Sequence, residues 1–182
     1  MSHTFDEVVA TYRTFGHRHY GEDVTELQHA LQCATFAQAA GEPAEVVAAA
    51  LLHDYGHLCH ALGEDIADHG IDARHEEIGY ALLRETFTDG IADAARLHVA
   101  AKRYLCLRDP GYEGGLSDAS RTSLHLQGGV MSEEEALAFE REPHFALAVR
   151  VRRYDDMGKV ADMPTPDLEA FLPLLSSFVR QA

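Results

Sequence analysis

The stretch "LLHDYGHLCH", Leu51 to His60, constrains this chain more than any other. It sets three histidines and an aspartate at the end of an apolar run, "AEVVAAALL". A carboxylate buried there destabilises the fold unless a hydrogen-bonded partner or a cation compensates it. The doublet His53-Asp54 therefore either binds something or is a costly way to fill a core. His53 and His57 are four apart, which predicts one shared helix face, with Asp54 beside His53. Imidazole and carboxylate are ligands of first-row metals, so a metal ion is the partner this pattern suggests.

The surrounding chain reads as helices punctuated by Gly and Pro, and the expected class is all-α. Residues 4–15 form a short helix. Residues 23–40 follow, with an apolar stripe through Leu27, Leu31 and Phe36. "GEP" at Gly41 to Pro43 stops that helix and starts the next, which is expected to run to about Leu62. "EDIADHGIDA" is expected to be a loop. Helices are then expected over 74–87, 89–107, 117–125, 132–141, 144–156 and 166–180, with "RDPGYEGG" as a break. No useful alternating strand pattern is present. Repeats, low-complexity segments and linkers are absent, so residues 1–182 are read as one domain, with 1–20 as a flanking helix or lid.

Composition narrows the partners. A formal charge of −15 argues against a nucleic-acid backbone, whose contacts need clustered Lys and Arg. The excess acid reads as a solvated surface, and it leaves room for a small anionic ligand in a locally positive site. No apolar run approaches the ~20 residues that span a bilayer, and the first residues lack a signal peptide's apolar segment. A soluble cytoplasmic protein without a membrane partner is expected. Cys33, Cys59 and Cys106 lack a CxxC pair and read as buried free thiols. The anomaly is 12 histidines in 182 residues.

Several of these histidines, with a few other residues, stand in chemically suggestive contexts. His29 lies in "ELQHALQCATFAQ" on an apolar helix, where by itself a satisfied core histidine is the simpler reading. His75 opens a helix in "DARHEEIGYALL", where it could also be a cap or surface residue. His98 and Lys102 in "RLHVAAKRYL" are four apart and share a face. Asp155 follows an aromatic in "RVRRYDDMGK", with Asp156 as its alternative.

The order His29, His53-Asp54, His75, His98, Asp155 resembles the HD-domain superfamily, whose minimal signature is H…HD…D. Minimal members are one- or two-metal phosphohydrolases. The pairing of His98 with Lys102 is similar to the oxygenase branch typified by myo-inositol oxygenase. The segments "LQHALQCATFAQ", "AALLHDYGH", "HVAAKRYL", "LSDASR", "QGG" and "YDDMGK" more closely resemble the 2-amino-1-hydroxyethylphosphonate oxygenases and their relatives acting on the 2-trimethylammonio analogue. The likeness extends over about residues 20 to 165.

This resemblance implies a mixed-valent Fe(II)/Fe(III) pair with O2 as co-substrate. His29, His53, Asp54 and Asp155 would hold one iron; His75, His98 and Asp54 the other, with Asp54 bridging. His57 and Lys102 would act on the phosphonate as catalytic and binding groups, with Ser120 and Ser123; a threonine is expected at 123. The products would be phosphate and glycine or glycine betaine. At the cationic end of the substrate the likeness weakens. Glu22 keeps its place seven before His29, but the expected tyrosine position holds His19, and Tyr20 is offset by one. Glu22 would pair with an ammonium and Tyr20 would face it through its ring. His60 has no counterpart and reads as surface.

Two rivals remain at this level. A metal-dependent phosphohydrolase acting on a nucleotide or small phosphate ester would need His29, His53, Asp54 and Asp155 but not His98 with Lys102. A degenerate non-catalytic module would be expected to have lost ligands, and none is missing.

Overall fold

A computed structural model describes residues 3–59 and 74–181, with the side chains of 21 and 22 left aside. The expectations for His60, for the loop at 64–73 and for the side chain of Glu22 fall outside the described residues. The described chain is all-α: α1 (Phe5–Phe15), α2 (Glu26–Ala39), α3 (Ala44–Leu52), α4 (His75–Thr86), α5 (Asp89–Arg108), α6 (Tyr112–Gly115), α7 (Asp118–Leu126), α8 (Glu133–Phe139), α9 (Phe145–Met157) and α10 (Leu168–Ser176).

Local chemistry sets these boundaries. Thr4, Thr25 and Ser132 each close a capping box with Glu7, Gln28 and Glu135, satisfying amides that the first helical turn leaves open. Helix α5 runs for 20 residues as the central element, packed on α3, α4 and α9, while α2 packs on α3 and α9. The main core gathers Val46 to Leu52 of α3, Leu31 to Ala37 of α2, and Leu83, Phe87 and Ile91 around the α4–α5 junction. Beyond α10, which encloses Pro173, the chain returns to that junction: Arg180 N–H donates to Thr86 O at 2.8 Å and Val179 bridges Phe87.

The structure corrects two sequence expectations. A two-stranded antiparallel ribbon, β1 (His19–Glu22) with β2 (Val24–Thr25), precedes α2, and β2 takes the start of the expected 23–40 helix. Four residues of "HYGE" are too few to carry a legible alternation. The second correction lies at the opening motif. Helix α3 stops at Leu52, and Tyr55–Cys59 form a 3-10 turn instead of continuing to Leu62. His53 and His57 therefore do not share an α-helical face. Tertiary packing decides this: the backbone at Gly56 presses against His75 of α4, and a Cβ there would collide with the His75 carbonyl oxygen. Gly56→Ala should lower stability by about 2–3 kcal/mol, the scale of overpacking, read by denaturant unfolding. An unchanged midpoint would mean that the two segments are not in contact.

No helix of the described residues is long and apolar enough to cross a membrane. Cys33 is buried, whereas Cys59 and Cys106 are only half-buried; all three are free thiols.

Candidate metal centre

Five elements bring buried polar side chains to one point. His29 comes from the second turn of α2, His53 and Asp54 from the end of α3, His75 from the start of α4, His98 from mid-α5, and Asp155 from the last turn of α9. All six are buried, with His29 at 0% and Asp155 at 1% exposure. Groups this polar remain inside only when compensated.

The histidine rings are held in one tautomer. Nδ1 of His29 donates to Gly158 O at 2.8 Å, Nδ1 of His53 to Ala50 O at 2.8 Å, and Nδ1 of His98 to Ala95 O at 2.7 Å. A carbonyl only accepts, so these Nδ1 atoms carry protons and each Nε2 is turned inward, where it can offer a lone pair to a cation. For His53 and His98 the anchoring carbonyl lies three residues back, within the same helix. For His29 it is the backbone just past α9, reached because Gly158 has no side chain: a Cβ there would press on Cys33 Sγ and lie 3.1 Å from His29 Nδ1. Among the described residues His75 has no such backbone anchor; Glu76 Oε2 lies 3.7 Å from its Nδ1.

Asp54 divides its two oxygens between two histidine pairs. Oδ2 lies 3.4 Å from His29 Nε2 and 3.3 Å from His53 Nε2; Oδ1 lies 3.4 Å from His75 Nε2 and 3.0 Å from His98 Nε2. Asp155 adds Oδ1 at 3.5 Å from His29 Nε2 and Oδ2 at 3.7 Å from His53 Nε2. Within each histidine pair, the Nε2 atoms face one another at 3.3 Å and 3.0 Å. Ligand atoms about 2.1 Å from a shared cation at angles of 90° to 109° would be about 3.0–3.4 Å apart. Facing lone pairs at this separation repel unless a proton or cation lies between them.

Two further observations fit a metal. Asp54 Oδ1 is buried without a hydrogen-bond partner among the described residues. Groups that could hold a metal are His29, His53, Asp54, Asp155 and Asp54, His75, His98, with Cys33 beside His29 and His53 as a third combination. Electrostatics points the same way. Burial opposes a charge on His53, yet Asp54 and Asp155 outweigh it and raise its pKa to about 10. Burial holds His98 down to about 4 despite Asp54. Asp54 stays well below the usual carboxylate range: His53 and His98 overcome a burial penalty that pushes the other way. The carboxylates thus demand positive charge at this point, and a cation would supply it and displace the imidazole proton.

A cationic cradle adjoins the cluster. Lys102, 2% exposed and one turn after His98, donates to Ser123 Oγ at 2.7 Å; Ser123 in turn donates to Ser120 O at 3.1 Å. Lys159 Nζ donates to Ser120 Oγ at 2.9 Å and lies 5.9 Å from the centre of the Tyr20 ring. Burial, followed by Arg152, brings the Lys102 ammonium down to about 7. Sequence reasoning passed over Lys159, although it stands in "YDDMGK", four after Asp155.

The remaining candidates also find places. Tyr20 stacks on His29 with ring centres 3.9 Å apart and donates its hydroxyl to Asp54 Oδ2 at 2.8 Å. It faces the centre while His19 is exposed; the pairing register is irregular between His19 and Glu22, which releases Tyr20 from strict alternation. His57 stacks on His75 with ring centres 3.9 Å apart and meets Tyr20 in a T-shaped contact. Asp156 faces away from the histidines, onto Arg152 and Tyr112.

Residues 27–139 match the HD-domain family. The chain belongs to that family. It is 46% identical over 159 residues to a [1-hydroxy-2-(trimethylamino)ethyl]phosphonate dioxygenase (glycine-betaine-forming) of Leisingera caerulea, covering 87% of this chain and 81% of the relative. It is 41% identical over 164 residues to a hydroxymethylphosphonate dioxygenase of Gimesia maris, covering 86% and 78%. An uncharacterized protein of Acanthamoeba polyphaga mimivirus is 33% identical over 179 residues, covering 96% and 81%.

Proposed function

We propose that this HD-domain protein is an O2-dependent oxygenase that cleaves the C–P bond of a 1-hydroxyphosphonate, with 1-hydroxy-2-(trimethylammonio)ethylphosphonate as the first substrate to assay. The observation that carries this reading is one buried carboxylate, Asp54, shared between two histidine pairs beside a lysine–serine cradle. The two dioxygenase relatives support it.

The chemistry explains why such a combination suits the substrate. A C–P bond offers hydrolysis no ready leaving group. Oxidising the hydroxyl-bearing carbon to the carboxylic acid level lets phosphorus leave as phosphate. The atoms balance as R–CH(OH)–PO3H2 plus O2 giving R–COOH plus H3PO4. With trimethylammonio as head group the acid is glycine betaine; with amino it is glycine. An Fe(II)/Fe(III) pair held by His29, His53, Asp54 and Asp155 on one side and by Asp54, His75 and His98 on the other would supply the O2 reduction that side chains cannot perform.

The rest falls to the protein's own groups. Lys102 and Lys159 neutralise the phosphonate and fix its direction, with Ser123 and Ser120 as their hydrogen-bond partners. His57, beside His75, completes that cradle from the 3-10 turn. Tyr20 covers the centre on the solvent side and keeps its phenolic proton on Asp54 Oδ2, since burial and then the carboxylates raise its pKa well above the ordinary value. Its ring, stacked on His29 through one face, is an aromatic surface beside the centre that suits a quaternary ammonium.

Phosphate release from a panel of three substrates, the trimethylammonio and amino compounds and hydroxymethylphosphonate, with and without O2, tests the proposal. Iron-loaded protein with two iron ions per chain should release phosphate only aerobically. Equal release under anaerobic conditions, or from phosphate esters with zinc or manganese bound, would establish a phosphohydrolase instead.

A further inference from the structure

We infer that Tyr112 and Asp156 are positioning residues for the metal centre. They hold Arg152 so that its guanidinium occupies one side of the Asp155 carboxylate and leaves the other to the metal. The inference rests on reading the histidine cluster as a metal centre.

Arg152 is only 4% exposed, on α9, and each of its three nitrogens has a partner. NH1 donates to Asp155 Oδ2, NH2 to Asp156 Oδ1, and Nε to the Tyr112 hydroxyl at 3.0 Å. Tyr112 then donates its own proton to Asp156 Oδ2. Asp156 is thus bound through both oxygens, and the guanidinium is locked in plane by three contacts from two helices, α6 and α9. Asp155 and Asp156 follow Arg152 by three and four positions, so one turn of α9 presents both carboxylates to one fork.

The consequence falls on Asp155. Its Oδ2 is engaged by Arg152 and lies 3.7 Å from His53 Nε2, while Oδ1, which the guanidinium does not touch, faces His29 Nε2 at 3.5 Å and the Tyr20 hydroxyl at 3.5 Å. A carboxylate pinned in this way offers a metal one oxygen from a fixed direction rather than two. The shared guanidinium also withdraws charge from that oxygen, making it a weaker donor. Outer partners of this kind set ligand orientation and the electronic properties of a metal site. Without Asp156 the Arg152 charge would fall on Asp155 alone, the carboxylate offered to the metal, and Tyr112 keeps the Arg152–Asp156 pair aligned. This gives the one-turn helix α6, in the segment "RDPGYEGG", a role that its sequence does not announce.

Wild-type protein, Tyr112→Phe, Asp156→Asn and Arg152→Lys should be loaded with Fe(II) and compared for iron stoichiometry, iron affinity and midpoint potential by EPR-monitored titration. Tyr112→Phe leaves the net charge unchanged, so a merely structural role would not move the potential. We expect it to weaken iron binding at the Asp155 side by about 10- to 100-fold and to alter the EPR line shape. Asp156→Asn should raise the midpoint potential, because the guanidinium charge is then less compensated. Arg152→Lys, which keeps the charge but loses the fork, should behave like Tyr112→Phe. Wild-type affinity and potential in both Tyr112→Phe and Asp156→Asn would overturn the inference while leaving the metal centre intact. Failure of the wild-type protein to bind metal would overturn both. Should Arg152→Lys fail to fold, the other two variants still decide the matter.

Discussion

Replacing Asp54 by asparagine should remove both metals and reduce phosphate release by on the order of 10³-fold or more. The two oxygens of Asp54 face separate histidine pairs, the closest approach being 3.0 Å between Oδ1 and His98 Nε2. Asparagine keeps the volume but removes the charge, and turns one of the two faces into an NH2 donor that cannot bind a cation. The two sites should therefore fail together, unlike the outcome for Asp155, which approaches only the His29–His53 pair. Iron analysis of Asp54→Asn and Asp155→Asn side by side checks this. Two irons retained in Asp54→Asn would end the bridging assignment.

Lys102→Met should weaken phosphonate binding by about 10- to 100-fold, the value of a lost charge-assisted hydrogen bond of about 1.5–3 kcal/mol, with iron content unchanged. Loss of iron would instead show that Lys102 supports the centre. Its titration supplies a second readout. The folded pKa of about 7 lies below the unfolded lysine value of about 10.4. Between those pH values the unfolded chain holds more protons, so stability rises with pH across the window and burying the cation costs most below pH 7. The melting temperature of metal-free Lys102→Met, relative to wild type, should thus be most favourable below pH 7 and fall back toward pH 10. Sulfate, whose charge does not change over this range, should bind wild type less tightly as the pH rises past about 7. A flat profile in both measurements would remove the charge from the account.

The helices were largely legible because they carry their own signals. Thr4 and Ser132 stand as caps three residues before Glu7 and Glu135, at the starts expected from the sequence, whereas the cap at Thr25, three before Gln28, lies inside the expected 23–40 helix. The exceptions have causes outside the local sequence. "HYGE" forms a strand only because β2 pairs with it at the entrance to α2. Helix α3 gives way to a 3-10 turn because Gly56 must fit against α4, a contact made with residues about 20 positions later. No local propensity contains that information.

The candidate metal ligands are legible as a set only through their order along the chain, which resembles the HD-domain pattern; singly, His29 and His75 carry simpler structural readings, and the structure brings the set to one point. The sequence by itself determined the all-α class, the ligand types and the presence of a lysine one turn beyond His98. Only the tertiary structure decided that Asp54 splits its oxygens between two pairs, that Asp155 rather than Asp156 faces the histidines, and that Lys159 and Arg152 reach the same place. The physical reason is that a ligand's identity is a property of one side chain. Its direction is a property of the backbone carbonyls and neighbouring helices that hold it, among them Gly158 for His29 and Tyr112, through Arg152, for Asp155.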